Sequence, residues 1–183
     1  ELEQLRLAAI LHDIGKIGVD DSVLRKPGKL TREEYEHIKQ HVEIGHRILH
    51  DLERLEEVLP VVLHHHEKID GSGYPHKLPG DQLSLFAKMG AVCDVYDAIT
   101  SNRPYKAGWD PSEALRKMTE WTGHFDTGIF HTFIKCVGIY PLGSLVLYRE
   151  REDTPFRAHD EQLLASLVPY IARGLETATA LVF

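Results

Sequence analysis

The sequence predicts an all-α core that occupies most of the chain, followed by a small C-terminal appendage of one strand and one helix. No stretch before residue 137 alternates polar and apolar residues as a half-buried strand does. Apolar residues at helical spacing and helix-capping residues recur instead. The chain has 183 residues, 43% hydrophobic and 27% charged, which is enough for a sizeable globular core.

Six helices are expected in the core, over 2–11, 31–50, 58–67, 83–100, 111–122 and 125–137. Thr31 and Glu34 form a capping box at the start of the second helix. Pro111 lies near the start of the fifth, where its missing N–H costs little, and Ser112 is available as a cap. Segment 70–75 contains three turn-forming residue types and is expected to be a loop.

The acidic composition and the cysteines limit the expected partners and location. The formal net charge is -7, so long nucleic acid is not expected as a partner, whereas a small anionic substrate needs only a few local cations. No apolar run approaches the ~20 residues of a membrane span, so no span is expected. Cys93 and Cys136 form neither a CxxC pair nor a disulfide framework, which favours a reducing, cytoplasmic location.

Histidine is unusually frequent, with 12 in the chain and a concentration between positions 37 and 66. A neutral imidazole nitrogen is the commonest protein ligand for divalent metals. For any single histidine, a position on a helix surface is an equal alternative. His37 and His41, one turn apart, are expected to share a helix face, with His41 as a ligand and His37 as a neighbour or surface residue.

Three further places favour metal chemistry. His12 and Asp13 end the first helix, and the alternative to metal binding is that they serve only the helix end. Lys16 follows three residues later, and its alternative is a solvated lysine at the helix C-terminus. His64, His65 and His66 end an apolar helix, and consecutive helical residues point about 100° apart, so two of them can serve different metals.

The third place is Asp94, which lies between apolar residues inside the helix 83–100. A carboxylate in such a place needs a charged partner or a metal, so an internal salt bridge is the alternative. Asp97, one turn later, is expected to support or cap the site.

Together these residues resemble the HD-GYP family, a branch of the HD superfamily of metal-dependent phosphohydrolases. The matching blocks are LHDIGKIG at 11–18, KPGKLT at 26–31, His41, HHEKIDGSGYP at 65–75, DVYDA at 94–98 and RPYK at 103–106. The resemblance covers residues 1–142 and implies an HD-superfamily helical bundle. Some members take additional ligands from an upstream helix, so the domain is expected to be N-terminally incomplete and a third metal is uncertain.

The resemblance implies a phosphodiesterase that hydrolyses cyclic di-GMP, a bacterial second messenger, to pGpG or GMP. It implies that the ligands of two or three divalent metal ions are His12, Asp13, His41, His65, His66 and Asp94. Asp13 would bridge the ions, and Asp13 and Lys16 would be catalytic. The residues that would contact substrate are Lys16, Tyr74, Arg103 and Lys106. A set of imidazoles and carboxylates without thiolate suits iron or manganese, with zinc and nickel still open.

Two other functions stay open at this stage. One is a binding module that keeps the metals and the dinucleotide pocket without turnover, and the other is a phosphohydrolase of another nucleotide, such as a hybrid cyclic dinucleotide.

Residues 143–183 form the appendage, with a strand over 142–148 and a helix from Asp160. From about residue 147 they resemble the end of a GAF-type sensor domain, with a packing or dimer helix as an equal alternative. A homodimer and a sensor or receiver domain in the same protein are the other expected partners.

Overall fold

The computed structural model describes residues 1–102 and 107–138. Its helices are α1 Leu2–Leu11, α2 Asp21–Leu24, α3 Arg32–Lys39, α4 His41–Leu49, α5 Val58–His64, α6 Leu85–Thr100, α7 Pro111–Glu120 and α8 Thr127–Val137. In these residues the only strand-like pairing is an isolated bridge between Asp70 and Pro79, so the predicted all-α core is confirmed. None of the described helices has the length and apolar character needed to cross a membrane.

Helix α5 lies at the centre of the bundle and packs against α1, α4 and α6. Its residues Val58, Val61 and Val62 are buried, and they join one hydrophobic core with Leu5 of α1 and Met89 of α6. Burial of each such side chain contributes roughly 1.5–3 kcal/mol. Because the core holds α5 in place, the position of its end is fixed. The HHE segment, His65 to Glu67, follows directly after it.

The capping box of Thr31 and Glu34 is confirmed, with both reciprocal hydrogen bonds present. The expected cap of α7 is wrong. Asp110, not Ser112, precedes the helix, and its side chain accepts the backbone N–H groups of Ser112 and Glu113. The reason is that Pro111 occupies the first helical position, so the residue before it has to be the cap.

The single helix predicted over 31–50 is wrong, because the chain divides it at Gln40. The Gln40 N–H donates to the carbonyl of His37, three residues back, and its ψ is -16°. This tighter turn separates α3 from α4 and makes His41 the first residue of α4. The other helices differ from the predicted ranges by up to three residues, and the predicted strand 142–148 and the helix from Asp160 lie outside the described residues.

Candidate metal centre

All six side chains predicted as metal ligands come together at one place in the bundle. His12 caps the end of α1, Asp13 follows it, His41 begins α4, and Asp94 lies inside α6. The histidine–aspartate centre consists of two overlapping groups, Asp13 with His41, His65 and His66, and Asp13 with His12 and Asp94. Within each group the possible ligand atoms lie within 4.8 Å of one another.

A glycine permits the close approach that brings Asp13 to His41. The 3-10 turn Ile14–Gly18 follows Asp13 and packs on α4. A Cβ atom at Gly15 would overlap the carbonyl of His41 and the amide of Gly45. Only glycine fits between these backbones. The turn therefore sets the distance between α4 and the HD pair, His12 and Asp13.

Three buried imidazoles are oriented in the same way. The Nδ1 atoms of His12, His41 and His65 donate to main-chain carbonyls of Ala9, Ile38 and Val61 at 2.8, 2.7 and 2.9 Å. A carbonyl only accepts, so each Nδ1 carries a proton, and Nε2 is the ring nitrogen left to ligate a metal. Among the described residues these three Nε2 atoms have no hydrogen-bond partner. Metal-ligating histidines are commonly held by this arrangement.

The two oxygens of Asp13 face different parts of the centre. Oδ1 lies 3.3 Å from Nε2 of His41 and 3.9 Å from Nε2 of His65. Oδ2 lies 3.4 Å from Nε2 of His12 and also pairs with the ammonium of Lys16. One carboxylate thus serves both groups, as a bridging ligand of two ions does.

Asp94 is the second carboxylate of the centre. Its Oδ1 lies 3.7 Å from Nε2 of His12, and its Oδ2 lies 3.8 Å from Nδ1 of His66. These separations exceed a normal hydrogen bond. They are close to the ~3.3 Å between two atoms that each lie about 2.0–2.2 Å from one tetrahedral ion.

The electrostatics of the centre favour a cation. Burial lowers the pKa of His65 well below its ordinary value, with smaller effects of His66 and His12, and burial also lowers the pKa of His66 to about 4. For His12, the charges of Asp13 and Asp94 outweigh burial and raise the pKa well above its ordinary value. A bound divalent ion would replace the proton on His12 and pair with the same two carboxylates. Neutral imidazoles, as at His65 and His66, and ionised carboxylates are the forms that bind divalent metals, so the residues fit a metal centre.

The remaining predicted site residues are distributed differently. Tyr74 stacks on the His66 ring with centroids 4.8 Å apart, and so it lies at the edge of the centre. Lys16 contacts the centre through its pair with Asp13. Arg103 and Lys106 lie outside the described residues. His37 faces Asp20 instead, where its Nε2 accepts the backbone N–H at 3.3 Å, because the break at Gln40 turns it away from His41.

Sequence reasoning assigned no role to Glu67, although it belongs to the HHE segment. Glu67 is 2% exposed, and its carboxylate accepts the backbone N–H groups of His76 and Leu78 at 2.6 and 3.3 Å. The loop that carries Tyr74 is therefore tied to the end of α5. The signal was present in the sequence, since an acidic residue directly after an apolar helix needs partners when it is buried.

Two cavities open near the loop. The cavity of about 270 Å³ adjoins the centre through Tyr74, and it is lined by Glu36, Lys39, Gln40, Glu43, Tyr74 and Pro75. The cavity of about 320 Å³ shares no residue with the histidine–aspartate centre; its lining is Lys68, Asp70, Trp121, Thr122 and His124. The first cavity is the better candidate for a substrate site because it meets the centre.

Comparison with known proteins agrees with the bundle and its histidine–aspartate centre. Residues 1–129 match the family described as HD domain, and the chain belongs to this family. The HD-superfamily fold implied by the resemblance is thus confirmed. The GAF-like interpretation of residues 143–183 stays a prediction.

Several known proteins are similar to the chain. A cyclic di-GMP phosphodiesterase of Pseudomonas aeruginosa is 53% identical over 164 residues, which cover 88% of this chain and 40% of that protein. A cyclic di-GMP phosphodiesterase of Vibrio cholerae is 42% identical over 141 residues, 73% of this chain and 29% of that protein. The 3'3'-cGAMP-specific phosphodiesterase 3 of Vibrio cholerae is 40% identical over 116 residues, 63% of this chain and 25% of that protein. The chain therefore spans at most two fifths of the length of these relatives.

Proposed function

We propose that the chain is the catalytic part of a metal-dependent phosphodiesterase that hydrolyses cyclic di-GMP to pGpG or GMP. The observation that carries the proposal is the carboxylate of Asp13, which faces His41 and His65 with one oxygen and His12 with the other. The names of the Pseudomonas and Vibrio relatives support cyclic di-GMP as the substrate.

The centre would hold two divalent ions, with iron or manganese as the preferred metals. The proposed ligands are His12, Asp13, His41, His65, His66 and Asp94. Bound there, the ions supply Lewis-acid stabilisation of the phosphoryl oxygens and an activated water at neutral pH. Asp13 would bridge the ions. The main-chain carbonyls would hold the imidazoles in the tautomer whose Nε2 can ligate a metal.

Lys16 and Tyr74 are the proposed substrate contacts at the edge of the centre. The Lys16 side chain is 39% exposed beyond its pair with Asp13, so its ammonium can also offset charge on a phosphoryl oxygen. Tyr74 lies between the centre and the smaller cavity. Glu36 and Glu43 line that cavity and would accept the N–H groups of a guanine base. Arg103 and Lys106 keep the role implied by the resemblance, contact with the substrate's phosphate or guanine.

Product analysis tests the proposed activity. The chain is purified without oxygen, loaded with Fe²⁺ or Mn²⁺, and incubated with cyclic di-GMP, and the products are separated by chromatography. Release of pGpG or GMP supports the proposal. Tight binding of cyclic di-GMP without turnover in any metal form would instead identify a binding module.

A second candidate substrate is 3'3'-cGAMP, because a relative of 40% identity is named for that substrate. The two dinucleotides differ in one base, so they present the same phosphodiesters to the centre. Competition between equal concentrations of the two measures the ratio of kcat/KM directly. A ratio in favour of 3'3'-cGAMP would assign the chain to that substrate.

The cytoplasmic location, the homodimer and the sensor or receiver domain belong to the same proposal. They are the setting expected for a signalling phosphodiesterase whose input comes from another domain. Size-exclusion chromatography with light scattering tests the dimer, and localisation of the fluorescently tagged full-length protein tests the compartment.

A further inference from the structure

Lys39 lines the cavity of about 270 Å³ that meets the histidine–aspartate centre, and neither the ligand set nor the proposed substrate contacts include it. In the part of the lining that the structure describes, Lys39 is the one positively charged side chain, and Glu36 and Glu43 carry the negative charges. The Lys39 side chain is only 23% exposed. A lysine is seldom so withdrawn from water without partners, so its contacts indicate what it does.

Three side chains hold the ammonium of Lys39 in place. Its Nζ lies 2.6 Å from Oε1 of Glu36, 5.2 Å from the ring centroid of Tyr35 and 5.6 Å from that of Tyr74. Tyr35 and Glu36 lie four and three residues before Lys39 on α3, so the three share one helix face. The π faces of the two rings attract the cation. An ammonium held in this way loses little freedom when it binds a ligand.

Tyr74 connects Lys39 with the histidine–aspartate centre. The Tyr74 ring stacks on His66 with centroids 4.8 Å apart, and the same ring lies next to the Lys39 ammonium. The backbone N–H of Tyr74 donates to the carbonyl of His66 at 3.2 Å, which holds this part of the loop beside the centre. The part of a substrate that extends from the centre past Tyr74 would therefore meet Lys39.

The charges of the cavity favour an uncharged base over the second phosphate of a cyclic dinucleotide. Two carboxylates, Glu36 and Glu43, and one ammonium line it, so its described lining is negative on balance and repels an anion. Guanine is uncharged, and it presents O6 and N7 as acceptors together with N–H donors. A lysine ammonium has three N–H donors, of which Glu36 accepts one, and the carboxylates only accept. The lining therefore offers a partner to both the acceptors and the donors of guanine.

We infer that Lys39 selects guanine in this cavity by donating hydrogen bonds to O6 and N7 of one base of the cyclic dinucleotide. Adenine carries an amino group in the place of O6, and this donor would meet the ammonium of Lys39 without an acceptor between them. Lys39 is thus a specificity-determining residue. The inference rests on the proposed function for its substrate class, the cyclic dinucleotides.

The preference for cyclic di-GMP over cyclic di-AMP, which carries adenine at both positions, tests this role. The manganese form of the whole chain is assayed as wild type, Lys39→Met and Lys39→Arg. The preference is the ratio of kcat/KM, or the ratio of binding constants where turnover is absent. We expect Lys39→Met to lower the preference roughly ten-fold through the KM for cyclic di-GMP, since a good contact to a base edge contributes about this much discrimination. Lys39→Arg also donates to O6 and N7 and should keep most of the preference.

Lys117→Met is the matched control and should keep the wild-type preference. Lys117 also pairs with a glutamate three residues away, Glu120 at 3.1 Å, but it lines neither of the two cavities. A wild type without preference for cyclic di-GMP, or an equal loss towards both dinucleotides in Lys39→Met, overturns the inference, whereas hydrolysis of cyclic di-GMP would still support the proposed function. A wild type that binds neither dinucleotide overturns both.

Discussion

Nε2 of His41 lies 3.3 Å from Oδ1 of Asp13, and it has no hydrogen-bond partner in the described part of the chain although His41 is 1% exposed. A buried lone pair beside a buried carboxylate is unfavourable unless a cation joins the two groups. This relationship makes the metal centre testable through single residues, as the following predictions describe.

Replacement of Asp13 by asparagine is expected to remove metal and activity with the helical fold retained. The substitution keeps the size of the side chain but removes the charge that both ligand groups share. Because loss of an outer-shell partner alone costs ~10–100-fold in metal affinity, we expect at least ~100-fold here. Elemental analysis and circular dichroism measure the two effects. The matched control is Asp20→Asn on the exposed surface, and an Asp13→Asn protein with full metal content contradicts the assignment.

Replacement of Lys16 by alanine is expected to separate catalysis from metal binding. Loss of one positive group that stabilises transition-state charge typically lowers kcat about 10²-fold. Metal content should stay at the wild-type value, because Lys16 contacts Asp13 from outside the ligand set. Steady-state kinetics on the manganese form measure the effect. Lys29→Ala, in an exposed position, controls for loss of charge, and an unchanged kcat for Lys16→Ala would exclude its catalytic role.

Gly15→Ala is expected to push the HD pair away from α4. The added Cβ would overlap main-chain atoms of His41 and Gly45, which cannot move independently of α4. Overpacking of this kind costs about 1–3 kcal/mol. Gly18→Ala is the matched control, since the three atoms nearest its Cβ would be side-chain atoms of Ile44, the closest at 2.9 Å. Urea denaturation and metal content should show a larger loss for Gly15→Ala, and equal losses in the two variants would contradict the close-approach argument.

Glu67→Gln is expected to loosen the loop that carries Tyr74. The amide keeps one acceptor but turns an NH₂ group towards a backbone N–H of His76 or Leu78. A buried donor left without an acceptor costs about 1–3 kcal/mol. We expect lower stability and a higher KM with normal metal content at the centre. A variant with wild-type KM and a wild-type urea midpoint would show that Glu67 does not position the loop.

His124 is expected to make the metal-free protein less stable at acidic pH. Burial, with a smaller effect of Lys68, lowers the pKa of His124 to about 4 from its usual 6.5. The unfolded chain therefore binds this proton first as the pH falls from 6.5, so stability decreases down to about pH 4. Urea midpoints between pH 8 and pH 4 should fall less steeply in His124→Gln than in the wild type. Above pH 7 the two curves should run parallel, and parallel curves at all pH values would contradict the prediction.

Much of the helical fold was predictable because it depends on local signals. The box of Thr31 and Glu34 acts within one turn of helix, and the apolar run of α5 shows that this helix is central. The break at Gln40 was not predictable, since the sequence on both sides of it favours helix. The new start of α4 at His41 meets the 3-10 turn Ile14–Gly18, which is a contact between segments distant in the chain.

The sequence by itself determined the helical class, the family resemblance and the types of ligand at the candidate centre, because residue type and short spacing decide each of these. Only the tertiary structure decided that Asp13 faces both ligand groups, that His37 turns towards Asp20, and that Glu67 holds the loop of Tyr74. The physical reason is that side-chain direction follows from helix ends and from the packing between helices. These features join residues that lie far apart in the chain, so no local pattern specifies them.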